Sequence, residues 1–237
     1  MKNLWKTARS LCMMAATLLC GSCGLIDMEL GEGTQYAYDM TLEYDSIYVR
    51  IGDSVLIKPV FVPDSVSNSE VLYLSEDENV ATIVNDTVVA MASGEVLVTA
   101  MSVLGGIADT CKVYVMEPWE VNPLDFANDM VVYATATVDG KPFDPETMLF
   151  AAFAGHEFRG MGELKEINGI RFLQFRIYGE LDLETMGPNP YEMIRFGCYN
   201  KTNYSFRYMD QYLFFDGETH GTPSNLYELT VSFSENQ

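Results

Sequence analysis

The chain has 237 residues, of which 48% are hydrophobic and 20% charged, and a formal net charge of −20 at pH 7. That length allows two modest domains, each with enough chain to bury a core. With 34 acidic residues against 14 basic ones, the chain is repelled by nucleic acid and by anionic membrane surfaces, so no nucleic-acid partner is expected.

The chain opens like an export signal. Lys2, Lys6 and Arg9 give a basic start, and residues 11–20 (L-C-M-M-A-A-T-L-L-C) an apolar stretch too short to span a bilayer. Gly21-Ser22-Cys23 follows and resembles a bacterial lipobox, with Cys20 where leucine is usual. The resemblance implies a signal peptide over residues 1–22, lipidation of Cys23, and an outer-membrane lipoprotein held by its lipid anchor. A plain secretory signal cut near Ser22 is the alternative. Removing this leader takes away three basic residues and no acidic one, so the net charge moves from −20 to −23. Residues 23–39 are acidic and contain glycine without periodicity, which reads as a flexible tether. Asp27, Glu29 and Glu32 soon after the cysteine resemble the acidic pattern of Bacteroidota lipoproteins displayed on the cell surface.

Residues 40–117 carry apolar residues with period two, the pattern of half-buried strands. Val80, Thr82 and Val84 alternate with Ala81 and Ile83; Val96, Val98 and Ala100 alternate with Leu97 and Thr99; Val113 and Val115 flank Tyr114. Residues 55–62 read as one further strand, with Pro59 marking an edge or a bulge. Asn85-Asp86, Ser93-Gly94 and Gly105-Gly106 punctuate the strands as turns, the spacing of an all-β sandwich or barrel. Asn79-Val80-Ala81-Thr82-Ile83, the run from Thr87 to Ala100 around Ser93-Gly94, Cys111-Lys112-Val113-Tyr114-Val115, and upstream Ile51-Gly52-Asp53-Ser54 resemble the bacterial immunoglobulin-like group 2 domain. Tyr73 stands where that family usually has tryptophan.

Two prolines in residues 117–123 make a semi-stiff joint, and Trp119 there is expected to pack between domains. Residues 118–237 read as a second β module: residues 130–138 alternate, Asp139-Gly140 and Asn168-Gly169 are hairpin turns, and strands are expected over 148–153, 157–163, 171–178, 193–199, 204–208, 212–215 and 227–233. Residues 145–148 and 181–186 look capable of a helical turn. The segments 130–140 and 149–160, with the later Gly221-Thr222-Pro223-Ser224-Asn225, resemble a recurrent β-sandwich module of Bacteroidota exported proteins. The fold class expected is therefore all-β, two consecutive β-sandwich domains with the first Ig-like.

Little in the sequence points to catalysis. His156-Glu157 begins like a zincin motif but lacks the second histidine four residues on, and no nucleophile elbow, P-loop or dinucleotide fingerprint occurs. The chain is read as a non-enzyme with no metal site and no cofactor. Acidic loops at Asp77-Glu78 and at Asp210, Asp216 and Glu218 are of a kind that can hold calcium, but without EF-hand spacing solvated charge is the expected reading. Cys111 and Cys198 fall on strands of separate domains and are expected to be free buried thiols. Tyr199, Tyr204, Tyr208 and Tyr212 crowd one stretch with Asn200, Asn203 and Gln211. They are the candidate ligand-binding residues, since tyrosine joins an apolar face to a polar handle; filling the sandwich core is the competing reading. The leading expectation is a surface lipoprotein for adhesion or for binding an extracellular glycan or protein, with the Ig-like domain as stalk and the second module as binding face. A glycan-binding part of a polysaccharide-uptake system and a structural subunit of a surface assembly are the alternatives.

Overall fold

The computed structural model describes residues 34–233, so the signal-peptide, tether-start and Cys23 expectations lie outside the described residues. The regular structure of the described chain is all strand apart from one 3-10 turn. The first sandwich contains β1 (Asp39–Leu42), β2 (Ser46–Arg50), β3 (Ser54–Leu56), β4 (Pro59–Val62), β5 (Val71–Ser75), β6 (Ala81–Val84), β7 (Thr87–Ala90), β8 (Gly94–Ser102) and β9 (Ala108–Met116). A sheet of order β2-β9-β8-β5 faces a sheet of order β3-β7-β6, and β1 pairs with β4. Strand β2 runs parallel to β9, while the other pairs are antiparallel.

The period-two pattern sorts side chains as the pleat requires. Val96, Val98 and Ala100 of β8 and Cys111, Val113 and Val115 of β9 point into one core with Ile47, Val49, Val55, Ile57 and Val88. Tyr73, in place of a tryptophan, packs against this core and donates its hydroxyl to the Ile57 carbonyl (3.2 Å), so the smaller ring keeps a buried partner.

Two details differ from the sequence reading. Residues 55–62 form two strands, because proline at 59 lacks a ladder donor and the chain changes partners there: β3 pairs with β7, β4 with β1. Contacts with the first sandwich also begin before residue 40. Tyr38 N–H donates to the Val62 carbonyl (2.9 Å), and Ala37 packs against the core.

A single-turn 3-10 segment (Pro123–Asp125), capped by Asn122, leads into the second sandwich. Its strands are β10 (Asn128–Val138), β11 (Lys141–Pro142), β12 (Met148–Ala154), β13 (Glu157–Ile167), β14 (Ile170–Gly179), β15 (Met193–Asn200), β16 (Ser205–Phe214), β17 (Thr219–His220) and β18 (Tyr227–Val231). They follow the order β11-β10-β14-β13-β12-β15-β16, with β17 and β18 added parallel to β10. The ribbon folds over on itself through β13, whose first half pairs with β12 and second half with β14. Gly160 and Gly162 sit at this bend, where a Cβ would lie 2.1 Å from the Arg176 carbonyl oxygen and 2.7 Å from the Phe175 ring. Met130, Val132, Phe175, Ile177 and Leu229 on one leaf then meet Phe150, Ile194, Phe196 and Met209 on the other. Gln211 and Thr230 exchange two hydrogen bonds (2.6 and 2.9 Å) that tie β16 to β18.

The hairpins follow their turn chemistry. Asp139-Gly140 and Asn168-Gly169 both take positive φ at each position, the geometry that suits right-twisted strands. Residues 145–147 and 183–185 form single turns, closed by Met148 N–H donating to the Asp144 carbonyl (3.0 Å) and Met186 N–H to the Asp182 carbonyl (2.8 Å). The two tyrosine-rich strands predicted over 204–208 and 212–215 are one strand, β16, paired with β15 across a register shift between Arg195 and Gly197. Cys111 and Cys198 are free, each at 0% exposure in a different core, and burial pushes both thiols up to about 12.

Candidate functional site: an aromatic cleft where the sandwiches meet

Strand β12 is buried on both faces. Phe150 and Ala152 enter the main core, while Ala151 and Phe153 join Phe158 in a second cluster on the outer face of the leaf. Trp119, Val121, Phe206 and Tyr208 cover that cluster. The linker tryptophan lies 5.6 Å from Phe153, 6.2 Å from Phe158 and 6.0 Å from Tyr199 between ring centroids. Arg50 of the first sandwich sits over the Trp119 ring at 5.5 Å.

Strand β2 is the edge of its sheet, and an open edge is a liability that proteins cover. Here the second sandwich covers it. Tyr48 N–H donates to the Tyr204 carbonyl (2.7 Å), and the Tyr48 carbonyl accepts from the Tyr199 hydroxyl (3.1 Å). Tyr204 adopts φ 56° and sets its ring edge-on to Tyr44, 5.5 Å away. The described residues from Tyr36 onward group as one compact unit.

The four tyrosines singled out in the sequence thus occupy different surroundings. Tyr199 is 8% exposed and burial pushes its hydroxyl up to about 12. Tyr204 is half-buried against the first sandwich. Tyr208 is half-buried in the outer cluster, with the Arg195 guanidinium 3.7 Å from its ring centroid and its hydroxyl donating to the Gly155 carbonyl (3.3 Å). Tyr212 is 54% exposed, edge-on to the exposed Phe214. They form no single flat platform: two serve the joint, one lines a cleft and one faces solvent.

The cleft beside this joint has a volume of about 890 Å³, within the range of small-ligand sites. Tyr48, Tyr114, Trp119 and Tyr208 line it with Arg195 and Arg207. Tyr48 and Tyr114 stack at 4.5 Å, and Lys112 lies 4.6 Å over the Tyr114 ring. Of the three carboxylates lining the cleft, Glu95 pairs with Lys112 (2.7 Å), Asp210 accepts from the Thr230 hydroxyl (2.7 Å), and Glu117 is exposed. Sequence reasoning found Tyr208 and Trp119 but missed Tyr48, Tyr114, Arg195 and Arg207. Their outward place on alternating strands was visible, but the packing that brings them together was not.

Of the other candidates, His156 and Asp210 also line this cleft. His156 lies in the exposed turn between β12 and β13, and His220 pairs with Asp216 (3.0 Å). Asp77 accepts from Asn79 N–H (2.9 Å), and Asp216 from Glu218 N–H (2.9 Å), as turn-forming acids do. Among the described residues no cluster of three metal-ligating side chains occurs. Near one end of the second sandwich, Arg159 is buried with Glu192 (2.9 Å) and over the Phe126 ring (4.4 Å). The contact with Glu192 is an ion pair without hydrogen-bond alignment, and Arg159 Nε has no hydrogen-bond partner among the described residues.

No protein-family profile and no curated protein matches the chain. Solved structures similar to it include domains 4–9 of the surface layer protein SbsC (13% identity, TM-score 0.31, 79% of this chain and 32% of that one). Extracellular cadherin domains 1–4 of protocadherin gamma B7 match at 10% identity and TM-score 0.28, over 75% of this chain and 49% of that one. A tandem pair of titin Ig domains matches at 6% identity and TM-score 0.23, over 84% of this chain and 100% of that one. The chain spans about a third of the SbsC fragment and about half of the protocadherin fragment.

Proposed function

We propose that this chain is a non-enzymatic lipoprotein of the outer membrane, displayed at the cell surface through Cys23. Its first sandwich is a bacterial Ig-like group 2 domain acting as stalk, and its second sandwich presents the ligand-binding face. The observation that carries this reading is the joint. An edge strand capped by Tyr204 and Tyr199 and a linker tryptophan seated among Phe153, Phe158 and Phe206 hold the sandwiches together beside one aromatic cleft. Glu95 and Asp210 in that cleft are already engaged and Glu117 is left as a single exposed carboxylate, so the lining offers no pair of free acids for acid–base chemistry. The ligand is an extracellular glycan, as for a component of polysaccharide uptake.

Fractionation tests the anchor. Cys23→Ala should move the protein from the membrane to the soluble fraction, and protease added to intact cells should digest the wild type. Unchanged membrane association of Cys23→Ala, or full protection from added protease, would refute the lipoprotein display.

A structural subunit of a surface assembly is a second reading, favoured by strand β5. It ends its sheet, and Leu72 and Leu74 on it are 53% and 63% exposed. Exposed apolar edge strands invite pairing with another chain. Concentration-dependent association in sedimentation velocity that Leu74→Lys abolishes would support this reading over the binding one.

A further inference from the structure

We propose that the cleft takes a short acidic oligosaccharide, whose carboxylate or sulfate is held by Arg195 and Arg207. This rests on the reading of the chain as a surface glycan-binding protein and names the chemistry of its ligand. In a chain of net charge −20, cations are scarce and most are neutralised. Arg50, Arg159, Arg171 and Arg176 each lie within ion-pair distance of a carboxylate. Arg195 and Arg207 have no such partner among the described residues, and both line the same cleft. The guanidinium fork matches carboxylate and sulfate oxygens, with directed and charge-assisted hydrogen bonds.

The surroundings sharpen the class. Ring faces at the cleft are already occupied: Arg195 covers Tyr208, and Tyr114 lies between Tyr48 and Lys112. The rims of aromatic rings carry partial positive charge and suit an anion. Glu95, Asp210 and Glu117 also line the cleft, with Glu95 neutralised by Lys112, so the anion is held where Arg195 and Arg207 reach it and away from Asp210 and Glu117. Ser93 and His156 supply hydrogen-bonding side chains at the exposed margin, as sugar hydroxyls require. A peptide cannot add a strand at the β2 edge beside the cleft, which is taken by Tyr204 and Tyr199. Long polyanions and anionic membranes are repelled by the chain as a whole, which leaves a ligand with few, separated charges.

The test uses residues 23–237, in which Trp119 is the sole tryptophan and reports from the cleft wall. Its fluorescence is titrated with tetragalacturonate, with the methyl ester of the same tetrasaccharide, and with a chondroitin sulfate tetrasaccharide. A saturable change with at least one acidic probe is expected, and binding of the ester should be about tenfold weaker or more. A response to tetragalacturonate alone assigns a carboxylate ligand, and a response to the sulfated probe alone a sulfated one. Arg207→Gln, at an exposed position, should weaken the acidic probe about tenfold with an unchanged melting temperature. Arg195→Gln should do the same; because it also uncovers Tyr208, its melting is measured alongside. Equal binding of acid and ester would overturn the acidic class while leaving glycan binding intact. Full-strength binding by Arg207→Gln, or no response to any probe by the folded chain, would overturn the proposal, and the Cys23→Ala fractionation judges surface display separately.

Discussion

Trp119→Ala is the sharpest probe of the joint. The indole touches Phe153, Phe158, Tyr199 and Phe206 and carries Arg50 over its face. Truncating a fully buried tryptophan costs about 3–5 kcal/mol. Trp119 is only partly buried and sits on a linker, so the ring packing contributes less, about 2 kcal/mol, to which the Arg50 contact adds about 0.5–1 kcal/mol. The expected loss is about 2–3 kcal/mol, read by urea unfolding followed with far-UV circular dichroism. Arg50→Gln should cost little by itself once Trp119 is alanine, because the shared term has gone. A loss under about 0.5 kcal/mol for Trp119→Ala, the size of an ordinary surface change, would refute the view that this side chain fastens the two sandwiches.

Tyr199→Phe removes the bond to the Tyr48 carbonyl in a buried setting and should lower stability by about 1 kcal/mol with unchanged ligand binding; thermal melts beside a binding titration check both. Glu192→Gln removes the buried one of two carboxylates beside Arg159, leaving Glu157 at 3.1 Å, and should cost about 1.5 kcal/mol, measured by chemical denaturation. Gly160→Ala drives a methyl group into the Arg176 carbonyl oxygen and should prevent soluble expression of the folded chain, scored against Gly187→Ala, where a Cβ meets only Thr185 Oγ1 at 3.5 Å. The thiols give a pH test. Cys111 and Cys198 are raised from 9.0 to about 12 by burial, so the folded state keeps protons that the unfolded state releases. Their contribution is whole below pH 9 and is lost as pH climbs from 9 toward 12. Cys111→Ala/Cys198→Ala should therefore flatten the alkaline fall of the melting temperature, and in the wild type a thiol reagent at pH 8 should label neither cysteine until urea is added.

Much of the fold was legible because the code involved is local. Alternation such as Val96-Leu97-Val98-Thr99-Ala100 assigns each side chain to a face without knowledge of its partner, and Asp139-Gly140 and Asn168-Gly169 specify their own backbone. The strand over residues 55–62 failed at Pro59, where a missing donor splits it between two sheets. Residues 148–153 read only as a strand; that its outer face is also buried, under Trp119 and Phe206, shows only in the structure. The tyrosine stretch shows where local reading ends. Tyr199, at 8% exposure, and Tyr212, at 54%, lie in the same kind of sequence. What separates them is whether the first sandwich stands opposite. The cleft is assembled from residues as distant as Tyr48, Tyr114, Arg195 and Arg207, and no spacing along the chain announces such a set.

The most direct measurement is a glycan array probed with residues 23–237 and with the same chain carrying Ser93→Trp. Ser93 is an exposed residue of the cleft margin, so tryptophan there blocks the cleft without entering either core. Binding to a defined group of glycans by the parent chain, lost in the blocked variant, is the predicted result. Retention of the same glycans by Ser93→Trp, or an empty array with a folded parent chain, would contradict the cleft as the binding face.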